Sequence, residues 1–387
     1  CLILMMYKKE VVVPSITHFP PLILVPERSE TDFYDLSARF FANFPENCIV
    51  YKLLPDTTLQ EHYFKPKPLP RRKYLTKNTQ SGESDFPFSF SIKTLANLFA
   101  IKSHINSKSY NEREVDFPYF TNSDSVYLDS GATTQKPQSV IDATVEYYTK
   151  YCSNTHRSGF GDAAHATTEF ENTREVLQKF INTNKKEEII FTKGVTESIN
   201  FIASSFAYMF KTVIISSLEH HANIVSWHMQ GRFLNSGLEV VKCNENLDFD
   251  FEDFEEILKK NPNSFVSVAH VTNAFGKVHD IKKIISMAHD YGCVVMIDGA
   301  QSLSSFKIDV QELDCDFFAI SGHKTFGPTG VGAIYIKEKF FESVRPYQTG
   351  GAVINSVDFK EGTTFLNSPY KFEAGTQNIA GVIAFKE

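Results

Sequence analysis

Two short stretches hold residue types from which chemistry can be built: Ile297-Asp298-Gly299-Ala300-Gln301 and Ser321-Gly322-His323-Lys324. Each follows a short apolar run, Cys293 to Ile297 and Asp316 to Ile320, of the kind that forms a buried strand. Asp298 and Lys324 therefore fall at the carboxyl ends of strands, the edge at which open α/β sheets bind ligands. A lysine able to form a Schiff base and a carboxylate facing a pyridinium nitrogen are the two groups that pyridoxal phosphate requires of a protein. The competing reading is an ordinary surface aspartate and lysine, and the choice depends on what else reaches the same edge.

Several polar residues do. Gly194-Val195-Thr196 lies between a strand pattern, Ile189 to Thr192, and a helical one running to Met209, so free backbone N–H groups there suit a phosphate or a simple threonine cap. Glu219-His220-His221-Ala222-Asn223 follows the run Val213 to Ser217; adjacent histidines suit one metal poorly, whereas a flat imidazole can stack on a flat pyridine ring. Asn273 follows the run Phe265 to Val271 and could serve a phenolic oxygen, a substrate carboxylate or only a turn. The order GxxxxGK[ST] is missing from the glycines around Lys324, which argues against a nucleoside-triphosphate loop.

The elements that must position these residues alternate. Strands at Val126 to Asp129 and Leu238 to Val241 join those above, and helical periods cover Gln138 to Tyr151, Thr168 to Ile181, 224–233, 251–259 and 281–291, with Phe170, Leu177, Phe180 and Ile181 along one stripe. Such alternation implies a mostly parallel sheet, of seven-stranded type, with helices on both faces. The compact domain is expected over 113–387. Residues 1–112 carry proline clusters and a basic stretch from Lys65 to Lys77, and are expected to be an extension: a targeting leader, a disordered segment or a misjoined gene piece.

Composition narrows the class. The net charge of -7 gives no basic face for nucleic acid, and no apolar run is long enough to cross a bilayer, so a soluble protein is expected. Six cysteines without a CxxC pair argue against a disulfide scaffold or a zinc site, and no metal is expected.

From about Tyr127 onward the chain resembles the group II, SufS-like cysteine desulfurases, in the class V aminotransferase family of fold-type I. The matching stretches are Tyr127-Leu128-Asp129-Ser130-Gly131-Ala132-Thr133-Thr134-Gln135-Lys136-Pro137, Glu219 to Val225, Ile297 to Gln301, Ser321 to Lys324 with Gly327-Pro328-Thr329-Gly330, and Phe372-Glu373-Ala374-Gly375-Thr376. The resemblance implies the large domain of a pyridoxal-phosphate enzyme that converts L-cysteine to L-alanine and passes sulfur, through an enzyme persulfide, to iron–sulfur cluster assembly. Lys324 would be the Schiff-base lysine and move the Cα proton. Asp298 would keep the pyridine nitrogen protonated, His221 would stack on the ring and assist proton transfer, and Gln301 would bond its phenolic oxygen. Asn273 would lie beside that oxygen and the substrate carboxylate. Thr196, Ser321 and His323 would hold the phosphate, and Thr376 would reach the partner subunit's phosphate in a homodimer. A SufE-type sulfur acceptor and an iron–sulfur scaffold are the implied protein partners.

The likeness also sets its own departures. The persulfide cysteine and the arginine for the substrate carboxylate lie, in the family, beyond the last motif, so the chain is expected to be C-terminally incomplete; Cys315 matches an ordinary buried position. His156-Arg157-Ser158-Gly159-Phe160 lacks a second histidine usual there. A selenocysteine lyase or other class V enzyme would use the same cofactor residues, and a non-catalytic relative is the alternative of another kind. A plastid of an AT-rich eukaryote is the expected location, with the cytoplasm or mitochondrion as the alternatives.

Overall fold

A computed structural model describes residues 2–3, 22–25, 49–53, 59–63, 116–123, 127–156, 159–234 and 236–387. The chain divides into two units, Cys1–Leu128 and Asp129–Glu387. In the first, β1 (Leu2–Ile3), β2 (Leu22–Val25), β3 (Ile49–Leu53) and β4 (Leu59–Tyr63) pair in that order, and a short helix α1 spans Pro118–Asn122. The basic stretch Lys65 to Lys77, on which the leader was read, lies outside the described residues.

The second unit is built on one sheet. Its strands are β5 (Ile189–Thr192), β6 (Thr212–Ser216), β7 (Gly237–Val241), β8 (Phe265–Ala269), β9 (Val294–Asp298), β10 (Phe317–Ser321) and β11 (Gly332–Ile336). They are ordered β5-β11-β10-β9-β8-β6-β7, and only β11 runs antiparallel to its neighbours. The mostly parallel, seven-stranded sheet is the one expected.

Successive side chains on each strand point to opposite faces, and each face has its own helices. Ile214, Val266, Ile297, Phe318 and Ile320 meet α3 (Gly161–Ile181), α6 (Phe251–Lys260), α7 (Ile281–Asp290) and α9 (Ile379–Phe385); α2 (Gln138–Lys150) adds Tyr147. Val213, Ile215, Phe265, Phe317 and Ala319 meet α4 (Val195–Ser205) and Trp227 of α5 (Ala222–Leu234). A short α8 (Val310–Leu313) and a hairpin of β12 (Ile354–Asp358) with β13 (Gly362–Phe365) complete the unit.

Three expectations change. Residues 127–129 are not a strand: the Ala132 and Thr133 N–H groups both donate to the Asp129 carbonyl, at 3.0 and 3.2 Å, so this backbone closes a turn instead of joining a ladder. Helix α3 starts seven residues earlier than Thr168, because the fully buried Ala163 and Ala166 extend its inner face with small side chains. Phe180 leaves the stripe: Phe170, Leu177 and Ile181 are buried, but Phe180 is 56% exposed.

Candidate active site

The carboxyl ends of β6, β8, β9 and β10 form one continuous edge. Asp298 pairs in register with Ala269 on one side and Ala319 on the other, and Ser321, which pairs with Gly332, ends β10 two residues beyond Ala319. The 3-10 turn Gly322–Lys324 follows at once, so Asp298 and Lys324 leave adjacent parallel strands at the same edge. Phe318 forces Gly299: a Cβ there would stand 2.3 Å from its ring, so the chain after Asp298 can pass β10 only without a side chain.

Asp298 is buried, and one carboxylate oxygen accepts the Ala300 N–H at 2.9 Å. Its other oxygen takes no hydrogen bond among the described residues. Burial pushes this carboxyl above the usual aspartate range, opposed by the Ala300 N–H, Lys324 and His220. The half-buried Lys324 is held below the ordinary lysine value by burial, against the pull of Asp298. No ion pair joins the two, so each keeps its functional atom for another group.

The start of α4 is equally specific. Gly194 opens α4 with φ 143°, a conformation reserved in practice for glycine. A Cβ built on it would lie 3.3 Å from the Ser321 hydroxyl, which places the start of α4 directly against the end of β10. The Val195 and Thr196 amides sit in the first turn, where no side chain caps the helix. His323 contacts the opposite loop, its Nδ1 lying 3.2 Å from Thr133 Oγ1.

The other expected residues fall as follows. Gln301 bonds through Nε2 to the Gly131 carbonyl at 2.7 Å, bringing the loop after Asp129 to the Asp298 turn. Of the two histidines, His220 is the one tied electrostatically to the centre. Burial and then Lys324 lower its pKa, and Asp298 raises it. Its Nδ1 accepts the Ala222 N–H at 3.1 Å. His221 is exposed, with its ring centroid 6.0 Å from that of His220, which leaves its face open for stacking. Asn273 is exposed in a turn where the Thr272 N–H donates to Lys277, and Thr376 is exposed beside Gly375, whose N–H bonds Gly351. The structure thus gathers Asp298, Lys324, Ser321, His323 and Thr196 along one edge, with Gln301 and the histidine loop flanking it. It leaves Asn273 and Thr376 exposed, without a contact to that group among the described residues.

Glu219 belongs to the histidine motif, yet the motif alone does not show what it does. Its buried carboxylate accepts from Ser216 Oγ at 2.6 Å, Asn223 Nδ2 at 2.8 Å and the Ala269 N–H at 3.0 Å, so it ties the histidine loop to two strand ends. Arg174 and Glu373, paired inside the fold, were missed as well; an arginine between Phe170 and Leu177 on an apolar stripe was the available signal. Of the described cysteines, Cys152 is exposed, Cys243 half-buried, and Cys293 and Cys315 are buried with thiols pushed up by burial.

The donor set fits pyridoxal phosphate. An unpaired carboxylate oxygen in a dry setting suits a pyridinium N–H, an unpaired amine suits a carbonyl carbon, and a glycine-opened helix start beside a hydroxyl suits a phosphate.

Residues 126–387 match the family described as aminotransferase class-V. A cysteine desulfurase of Shigella sonnei is 40% identical over 261 residues, covering 66% of this chain and 64% of that protein. An Escherichia coli cysteine desulfurase is 39% identical over the same length. The apo structure of a cysteine desulfurase from Thermococcus onnurineus superposes with TM-score 0.67 at 35% identity, covering 71% of this chain and 68% of that one. The E. coli cysteine desulfurase CsdA, in its S-sulfonic acid form, gives 0.64 at 36%, covering 73% and 71%. The chain spans about 64% of the length of the curated relatives it matches.

Proposed function

The chain belongs to the aminotransferase class-V family, and on that premise we infer that it is a pyridoxal-phosphate cysteine desulfurase, converting L-cysteine to L-alanine with transfer of the sulfur. Its fold is that of a fold-type I large domain. The observation that carries the reading is the placement of Asp298 and Lys324 after adjacent strand ends, each with an atom free of a hydrogen-bond partner among the described residues.

When bound, the cofactor supplies an electron sink for the bond electrons released at the substrate's Cα. Asp298 would hold its ring nitrogen protonated. The Val195 and Thr196 amides and the Thr196, Ser321 and His323 side chains would hold its phosphate, and Thr376 would reach that of a partner subunit. Gln301 and Asn273 would face its phenolic oxygen and His221 its ring. Lys324 would hold the group through its amine and, once L-cysteine is bound there, would move the Cα proton; burial lowers its basicity in the direction both roles require. A cysteine thiolate attacks the substrate sulfur, the Cβ–S bond breaks with its electrons passing toward Cβ, and alanine leaves after protonation while the sulfur stays as a persulfide. Neither that thiolate nor the arginine for the substrate carboxylate is assigned to a residue of this chain.

The finer reading is a SufS-like homodimer that hands sulfur to a SufE-type acceptor for iron–sulfur assembly in a plastid. Val225 and Met229, exposed and four apart on α5 beside His221, support the dimer. Sedimentation and the location of a tagged full-length protein test these points; a monomer or a purely cytosolic signal would remove them.

The deciding experiment adds pyridoxal phosphate to the purified chain and to Lys324→Ala, then borohydride. A visible Schiff-base band, trapped on the wild type alone, is expected. A folded wild type without the band would overturn the reading. Alanine and sulfide from L-cysteine, measured on the full-length protein, separate a working enzyme from a non-catalytic relative, and competition with selenocysteine separates the desulfurase from a lyase for that substrate.

A further inference from the structure

The carbonyl of His323, the residue before Lys324, receives four donors from one loop. They are the Thr134 N–H at 2.9 Å, Thr134 Oγ1 at 3.0 Å, Thr133 Oγ1 at 3.1 Å and Lys136 Nζ at 3.0 Å. A carbonyl oxygen has two lone pairs, so these donors share them, and the charged one binds most strongly. Lys136 Nζ also donates to the Thr134 carbonyl at 2.6 Å, which folds its own loop back on itself. On the far side of Lys324, the Phe326 N–H donates to Thr134 Oγ1 at 2.9 Å. The loop 133–136 therefore straps the turn both before and after the reactive lysine.

Lys136 is unusual for a lysine. It is half-buried, burial holds it below the ordinary value, and it has no carboxylate partner among the described residues. A desolvated ammonium bonded only to carbonyl and hydroxyl oxygens is costly, and such a charge is retained where a small donor is needed at one point.

We propose that Lys136 is a positioning residue for Lys324: its ammonium, donating into the His323 carbonyl, clamps the 3-10 turn from which Lys324 rises. The proposal rests on the reading of Lys324 as the Schiff-base lysine, but the clamp can be tested without it. Lys136→Met removes the donor, Lys136→Arg restores a charged one, and Lys136→Gln keeps polarity without charge.

In the cofactor-free full chain, the rate at which an amine-reactive acylating reagent modifies Lys324, mapped by mass spectrometry, should change at least about threefold in Lys136→Met and return in Lys136→Arg. With pyridoxal phosphate, Lys136→Met should bind roughly tenfold more weakly, the scale of one charged hydrogen bond, and the pH midpoint of the Schiff-base band should move, again with recovery in Lys136→Arg. If Lys136→Met does not fold, Lys136→Gln takes its place with the same expectations. A Lys324 modification rate unchanged by loss of Lys136, or a lysine-to-arginine change that recovers nothing, overturns the clamp. Failure of borohydride to trap the wild type overturns the Schiff-base reading instead, and leaves the acylation result to decide the clamp.

Discussion

Arg174 and Glu373 face each other fork to fork inside the second unit, with both guanidinium–carboxylate contacts at 2.9 Å and the arginine wholly buried. Glu373 also accepts the Phe191 N–H at 2.8 Å, and Arg174 donates to the Ile189 carbonyl, so the pair ties β5 to the segment that leads to Thr376. Removing Arg174 leaves the Glu373 charge buried without its counter-charge, whereas removing Glu373 leaves Arg174 with Glu171 alone, at 3.1 and 3.3 Å. Arg174→Met and Glu373→Gln should each cost about 3–5 kcal/mol in urea denaturation, and the double change clearly less than the sum. Additive losses would show that the two do not act as a pair.

Asp298→Asn separates stability from chemistry. Asparagine keeps an oxygen for the Ala300 N–H but cannot stabilise a pyridinium, and it removes a carboxyl that burial disfavours when ionised. Activity should fall by about two orders of magnitude while the melting temperature of the cofactor-free protein stays level or rises. A variant that melts well below the wild type would make Asp298 a structural residue.

Glu219 gives a signed pH dependence. Burial raises its pKa from 4.5 to about 7, with Ser216, Asn223 and the Ala269 N–H acting against it and Asp298 adding to it. The folded protein holds this proton over a range in which the unfolded chain has shed it. Stability from this group is therefore present at low pH, lost as pH rises from about 4.5 to about 7, and constant above, a span on the order of 3 kcal/mol. Denaturation curves between those limits should be steeper in pH for the wild type than for Glu219→Gln. Parallel slopes would exclude the assignment.

Gly194→Ala tests the phosphate cradle. Its φ of 143° and the 3.3 Å approach to Ser321 Oγ make any side chain strained there. We expect about 1–3 kcal/mol lost in stability and weaker cofactor retention, seen by equilibrium dialysis. Retention equal to the wild type would mean that α4 does not carry the phosphate.

Much of this was legible from residue pattern because parallel strands buried on both faces read as short apolar runs that stop at a polar residue. Strands β6, β8, β9 and β10 are of that kind, and their ends give the shared edge of Asp298 and Lys324; β5, paired antiparallel, and β7, largely exposed, are legible from their apolar runs alone. Strand β11 escaped because Gly332 to Ile336 follows directly on a glycine-rich loop that was taken up in the Lys324 motif. The run at 127–129 misled because its apolar residues precede a turn whose hydrogen bonds outcompete a ladder. His220 and His221 are equivalent in sequence; only burial beside Asp298 and Lys324 tells them apart. Arg174 was hidden for the opposite reason, since a charge is placed on a solvent face unless its partner, 199 positions away, is known.

The antiparallel strand β11 also sets a timetable. Among the described residues β5 pairs with β11 alone, with Ile190 opposite Ile334, and Gly194 hangs from the end of β5. During synthesis the segment 189–192 emerges long before its only ladder partner, whereas β6, β8 and β9 can assemble as they appear. On the proposed reading, the residues that would seat the cofactor's phosphate are thus completed late in the nascent chain, and vitamer present during translation would meet a half-built sheet before it met a site.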